Sequence, residues 1–188
     1  MELIDTSLKD CYLISHSKFE DDRGYFKVTY SSKVFNAANI DCGWLQENES
    51  LSDGLVCRGL HIQPNYPQSK YVSVKRGKIA DVAVDLRADS PTFGKYEVFH
   101  MSSDDDFSLY IPAGFAHGFI TKTDETIINY KIATNEYMPS DEVSIYPFDE
   151  SLNIDKFVQS YKKYGTNMQL SQKDANGMKY SDYIKKYC

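Results

Sequence analysis

Tyr71-Val72-Ser73-Val74-Lys75 alternates in hydropathy, breaks at Arg76-Gly77-Lys78, and resumes as Ile79-Ala80-Asp81-Val82-Ala83-Val84-Asp85. Period two on either side of a glycine turn reads as two strands joined in a hairpin. Working outward, the loop Ser90-Pro91-Thr92-Phe93-Gly94 precedes a strand-like run from Tyr96 to Met101. Ser108-Leu109-Tyr110-Ile111, Gly118-Phe119-Ile120-Thr121 and Thr126 to Lys131 follow. Short β-rich runs at roughly ten-residue spacing predict an antiparallel sandwich or barrel. Only Ser32 to Ala38 and Tyr180 to Tyr187, within the tail 176–188, look helical. The expected fold is all-β: a jelly roll with a few short peripheral helices, whose sheets enclose a ligand cavity.

Composition narrows the function classes. At 188 residues the chain is read as a single domain spanning 1–188, because folding at that size hides roughly 70% of the unfolded surface and supports a full core. Its net charge of −6 argues against a nucleic acid polymer, which needs a basic face. A local cationic pocket for one small anion stays open. No window approaches the apolar length of a membrane span, and Met1-Glu2-Leu3-Ile4-Asp5 lacks the basic start of a signal peptide. Cys11, Cys42, Cys57 and Cys188 form no Cys-x-x-Cys pair. The reading is therefore a cytoplasmic protein with free thiols.

Several polar residues sit where strands are expected. In Arg58-Gly59-Leu60-His61-Ile62-Gln63, alternation puts His61 and Gln63 on one face, with Arg58 reachable across the glycine and Lys70 following. Such a group is costly in a dry core; it is either a solvated turn flank or a site. In Ile111-Pro112-Ala113-Gly114-Phe115-Ala116-His117-Gly118-Phe119, small neighbours let a ligand approach His117. The plainer alternative is a tight loop whose histidine caps local backbone. Tyr130 lies on an apolar strand, Tyr137 in the loop before Pro139, and Asp174 in the polar loop Leu170 to Ala175; alone, each reads as packing or surface. A metal-binding jelly roll pairs two histidines one residue apart with a carboxylate soon after. Here Gln63 and Lys70 stand at those places, and an ammonium repels a cation, so no metal is expected.

Taken in order, the residues resemble the nucleotide-sugar 3,5-epimerases typified by dTDP-4-dehydrorhamnose 3,5-epimerase, a cupin-type jelly-roll family. The resemblance runs from about Phe19 to Ala175 and rests on Phe19 to Phe26, Gln46 to Ser50, Arg58 to Gln63, Gln68-Ser69-Lys70, Asp81 to Arg87, Ser90 to Gly94, Ile111 to Phe119, Tyr130-Lys131 and Ser171 to Ala175. It implies a nucleotide-diphospho-4-keto-6-deoxy sugar as substrate and no cofactor, because the ketone itself is the electron sink. By the same resemblance His61 is the general base, and Asp174 fixes its tautomer. Lys70 stabilises the enolate, and Tyr130 returns a proton from the opposite face. Arg23, Gln46, Glu47, Asn48, Arg58, His117, Tyr137, Glu142 and Lys173 are implied as substrate contacts. The family is commonly a homodimer, so Arg23 is expected at the partner's pocket.

Three departures stand out against that pattern. Val28 occupies the place of a family glutamate that contacts the nucleotide, the spacing from Tyr130 to Tyr137 is one residue longer, and Ile145 to Lys156 lacks the usual tryptophans. The alternative readings are a nucleotide-sugar 3,4-ketoisomerase and a non-catalytic sugar-binding cupin.

Overall fold

The computed structural model describes residues 1–40, 43–152, 154, 157 and 168–188. Its alternating runs form two antiparallel sheets packed face to face, the jelly roll expected. One sheet takes, in spatial order, β1 (Glu2–Asp5), β2 (Tyr12–Ser15), β10 (Phe107–Ile111), β7 (Ser69–Arg76), β12 (Thr126–Ala133) and β5 (Gln46–Ser52). The other takes β13 (Val143–Ser144), β6 (Cys57–Ile62), β11 (Phe115–Thr121), β8 (Lys78–Asp85) and β9 (Tyr96–Ser102). A separate hairpin joins β3 (Ser17–Asp21) to β4 (Gly24–Val28).

The stretch that reads as a hairpin is not one. β7 pairs with β10 and β12, whereas β8 pairs with β9 and β11. Gly77 is thus a corner between sheets, at φ +82°, and an added Cβ would strike the Thr123 and Thr126 hydroxyls. Both strands are largely buried, and each has two neighbours in its own sheet, β7 between β10 and β12 and β8 between β11 and the following strand β9. The true hairpin on this side is β8–β9, closed through the Ser90–Gly94 loop.

Alternation sorts the side chains into three layers. Val72, Ile79, Ala83, Leu109, Phe115, Phe119 and Ile128 fill the space between the sheets. On the outer face of the five-stranded sheet, Leu60, Ile62, Val82, Val84 and Ile120 pack against Ile154, Phe157 and Tyr183. Tyr183 belongs to the C-terminal helix Tyr180–Tyr187, formed where expected. The outer face of the six-stranded sheet is covered by Phe35, from the helix Ser32–Ala37, together with Trp44 and Tyr30. Each fully buried Ile or Phe in these layers contributes about 1.5–3 kcal/mol.

In the segment without tryptophans, Phe148 stacks on Phe157 at 6.5 Å between centroids and meets Tyr146 edge-on at 5.8 Å. Asn153, Asp155 and Lys156 lie outside the described residues. Cys11, Cys57 and Cys188 are free thiols, and Cys42 lies outside the described residues. No described helix is long and apolar enough to cross a membrane.

Candidate active site

Arg58 and His61 are three residues apart, so strict alternation would send them to opposite faces. Both nevertheless line the same cavity between the sheets. A β-bulge causes this: His117 pairs with His61 and Phe119 with Arg58, so two residues of β6 oppose the single Gly118 of β11. Gly59 adopts φ +103°, and a Cβ there would stand 2.6 Å from the His117 carbonyl. A Cβ on Gly118 would stand 2.7 Å from the Arg58 carbonyl. Two glycines face to face therefore permit the bulge that turns both the Arg58 and His61 side chains inward.

His61 is held from behind. Its Nε2 lies 2.6 Å from Asp174 Oδ1, while Nδ1 is 3.5 Å from Glu142 Oε1. Asp174 is not in a loop, as its polar neighbours led us to expect. It lies in the short helix Gln172–Ala175, where the Ser171 hydroxyl accepts from its backbone N–H at 3.0 Å. Its carboxylate also accepts from Ser144 Oγ at 2.8 Å and from the Gly59 N–H at 3.4 Å. Burial pushes this carboxyl up, but the hydrogen bonds from His61 and the serines outweigh it and hold it at about 2. An ionised Asp174 accepting from Nε2–H leaves Nδ1 as the lone-pair nitrogen, the form a base requires.

Lys70 and Tyr130 face His61 from the opposite sheet. Lys70 on β7 pairs with Ile132, and Tyr130 on β12 pairs with Val72 and with Asn48 of β5. Cross-strand partners share a face, so Lys70, Tyr130, Asn48 and Gln46 point into one cavity of about 410 Å³ together with Arg58, His61, His117, Tyr137 and Glu142. Burial draws the Lys70 ammonium down to about 8, against the opposing pull of Glu142 and Asp81. Burial also raises the Tyr130 phenol, aided by Glu142 and opposed by Arg58. It therefore keeps its proton at neutral pH. Among the described residues, neither Lys70 Nζ nor the Tyr130 hydroxyl has a hydrogen bond or ion pair.

At the mouth, Tyr137 donates to Glu142 Oε2 at 2.8 Å, and Lys173 pairs with the same oxygen. The bond to Glu142 leads in pushing the Tyr137 phenol up to about 12. Burial raises the Glu142 carboxyl, but Lys173, His61 and Tyr137 together leave it below its usual range.

His117 also departs from expectation. It lies within β11 rather than in a tight loop, is 8% exposed, and its Nε2 sits 2.9 and 3.0 Å from the two oxygens of the fully buried Asp81. Burial lowers its imidazole below the ordinary value, with Asp81 opposing.

Three residues implied as substrate contacts do not line this cavity, and Lys173, which reaches only Glu142 at its mouth, is one of them. Arg23 stands at the tip of the β3–β4 hairpin, its side chain 89% exposed and paired with Asp21 at 2.6 Å. Glu47 falls on the outward face of β5, between the inward Gln46 and Asn48, and pairs with Lys131 at 2.6 Å. Gln63, read as part of the polar group, serves the backbone: it is buried and bonded to the loop at 136–138. Sequence reading also passed over Asp81 and Ser144. Asp81 had a usable signal, a carboxylate on the inward face of an otherwise apolar strand. Ser144 had none, because its partner Asp174 is thirty residues away.

A cavity with a carboxylate-held histidine on one sheet and an unengaged lysine and phenol on the other suits proton removal and return across an enolisable carbon. The comparisons agree with that chemistry. The family model of dTDP-4-dehydrorhamnose 3,5-epimerase matches residues 5–182. The Shigella flexneri dTDP-4-dehydrorhamnose 3,5-epimerase is 40% identical over 184 residues, covering 97% of each chain. The crystal structure of the enzyme of that name from Elizabethkingia anophelis superposes with a TM-score of 0.86 at 38% identity, covering 97% of each chain. The dTDP-6-deoxy-D-glucose-3,5-epimerase of Legionella pneumophila, solved with dTDP-4-keto-L-rhamnose, superposes with a TM-score of 0.84 at 36% identity, covering 94% of this chain and 90% of its own. From the bulged histidine strand to these full-length likenesses, the chain is a member of the dTDP-4-dehydrorhamnose 3,5-epimerase family of carbohydrate epimerases.

Proposed function

We propose that this protein inverts C3, C5 or both of a nucleotide-diphospho-4-keto-6-deoxy sugar through an enolate, supplying sugars for surface polysaccharides such as lipopolysaccharide or capsule. The observation that carries this reading is the placement of His61 and Tyr130 on opposite sheets across one cavity, with Lys70 between them in sequence and beside Tyr130 in space.

Hydrogens at C3 and C5 are both α to the C4 ketone. His61 Nδ1 takes one of them, and the charge gained by the imidazole is stabilised by Asp174 at 2.6 Å and by Glu142. The electron pair moves onto the C4 oxygen, where the Lys70 ammonium meets it. Tyr130 then delivers its proton to the carbon from the other wall. Because base and acid approach from opposite sheets, the centre inverts. Arg58 and Lys173 hold the diphosphate, and Gln46, Asn48, His117, Tyr137 and Glu142 frame the nucleoside and sugar.

Two copies complete the site on this reading. The β3–β4 hairpin exposes Phe19, Tyr25 and Phe26 at 62%, 61% and 68%, an apolar surface suited to a second copy of this chain. Arg23 and the outward Glu47 then serve the partner's pocket or the interface. Residues 1–188 act as one cytoplasmic domain. Val28, at the end of that hairpin, stands where the family places a nucleotide-contacting glutamate, so the base is the part of the substrate most open to change.

Incubation with dTDP-, UDP-, GDP- and CDP-linked 4-keto-6-deoxy sugars in deuterated water tests the activity. Deuterium at C3 or C5 with inverted configuration is expected for one of them. A complete lack of exchange across the panel would sink the epimerase reading, and a ketone moved to C3 would make the protein a ketoisomerase.

A further inference from the structure

Tyr137 is 44% exposed, so packing alone does not fix where its ring stands at the cavity mouth. Its backbone does, and among the described residues no strand pairs with that backbone. Gln63 stands in for one. Its side chain is 4% exposed. Nε2 donates to the Glu136 carbonyl at 3.2 Å and the Tyr66 carbonyl at 2.7 Å, and Oε1 accepts from the Met138 N–H at 2.9 Å. Two carbonyl partners and one N–H partner admit only this orientation of the amide. Both amide hydrogens and the carbonyl are thus used, and the main chain is gripped on each side of Tyr137.

The same loop is stapled from outside. Asp141 accepts from Asn65 N–H at 3.0 Å, Asn65 Nδ2 at 2.6 Å and Tyr66 N–H at 2.9 Å. The segments after β6 and after β12 therefore form one unit. Through Tyr137 that unit reaches Glu142, and Glu142 faces His61 Nδ1. Gln63 does not line the main cavity, although it borders a narrow space beside it with His61, Lys70 and Glu142, where its amide is already committed to the 136–138 backbone.

We propose that Gln63 is a positioning residue: it touches no substrate, and sets Tyr137, and with it Glu142, in the pose that presents the sugar ring to His61. Because presentation decides which α-hydrogen meets the base, Gln63 governs the balance of exchange at C3 and C5. This rests on the epimerase reading above.

The test uses Gln63→Met, which keeps the volume and loses all three bonds, alone and with Tyr137→Ala, on a keto sugar nucleotide that the parent protein turns over. Gln63→Met is expected to raise KM about tenfold with kcat held within about threefold, and to change the C3:C5 deuterium ratio. It should also speed exchange of the Met138 amide about tenfold. With Tyr137→Ala present, adding Gln63→Met should change KM less than about twofold, because both act through one ring. Unchanged KM and deuterium ratio, or the same tenfold loss with Tyr137→Ala present, would overturn the proposal. Gln63→Asn, too short to reach both sides, is read by the same criteria if Gln63→Met does not fold. Should the parent turn over no sugar, the activity reading fails on its own, and faster Met138 exchange still decides whether the clamp exists.

Discussion

The two walls of the cavity are built on different principles. On the five-stranded sheet, His61 is locked by Asp174 and His117 by Asp81, each histidine fixed by a buried carboxylate within 3.0 Å. On the six-stranded sheet, Lys70 and Tyr130 are placed only by strand register, and among the described residues no hydrogen bond or ion pair engages either. One wall fixes its two histidines with its own carboxylates. The other presents donors to whatever enters. The contrast suits a reaction in which the base must hold one tautomer, while donors wait for charge that appears only in the transition state.

The largest effects should come from removing the acid or the base. His61→Ala and Tyr130→Phe should each lower turnover by about two to four decades while nucleotide diphosphate binding, measured calorimetrically, changes little; normal turnover in both would undo the role assignment. Lys70→Met should lower kcat by about 100- to 1,000-fold. It also separates the walls by stability. Held near 8, below its ordinary 10.5, the buried ammonium disfavours the fold at neutral pH, so thermal unfolding of Lys70→Met should occur at the same or a higher temperature. Asp174→Ala should unfold lower, because it strips a partner from the half-buried His61 and from the buried Ser144.

Gly118→Ala attacks the geometry that makes the histidine wall. Its Cβ would crowd the Arg58 carbonyl at 2.7 Å, and a loss of about 1–3 kcal/mol in chemical denaturation is expected. An unchanged midpoint would show that the bulge yields.

The smallest effects are those of pH, and they fall on opposite sides of neutrality. Lys70 needs its proton, so kcat/KM should decline as pH rises through about 8, and the Lys70→Met variant should lose that limb. Asp174 titrates at about 2 in the fold against 3.8 ordinarily. Its ionisation therefore stabilises the protein fully above pH 3.8 and ceases to do so as pH falls through about 2, a contribution of about 2 kcal/mol. Acid unfolding of Asp174→Asn should be flatter across that window.

The chemistry of the site was legible only through the resemblance, which an ordered series of short motifs carries; the residues taken singly did not declare it. Arg58 to His61 stood out by its polarity within a strand, whereas Tyr130 and Asp174 read as packing and surface until the resemblance placed them. The strands from Lys78 to Lys131 and the helices at Ser32–Ala37 and Tyr180–Tyr187 were readable directly, period two and period 3.6 being short-range signals, whereas the four-residue helix Gln172–Ala175 was too short to show one. The early strands β1 to β5 carry weaker alternation and were not read.

What the sequence by itself determined is an antiparallel β protein with a particular set of acids, bases and cations, resembling one family of sugar epimerases. Only the tertiary structure decided how they are shared between walls. It turned the apparent hairpin at Gly77 into a corner between sheets and moved His117 from a loop into a strand beside Asp81. It also put Asp174 behind His61, and sent Arg23 and Glu47 outside the cavity. The reason is physical: strand alternation gives a residue's parity but not its partner, and pairing is settled by burial of both faces against distant segments. Where a single bulge at Gly59 shifts that parity, even the face a residue takes is a property of the fold.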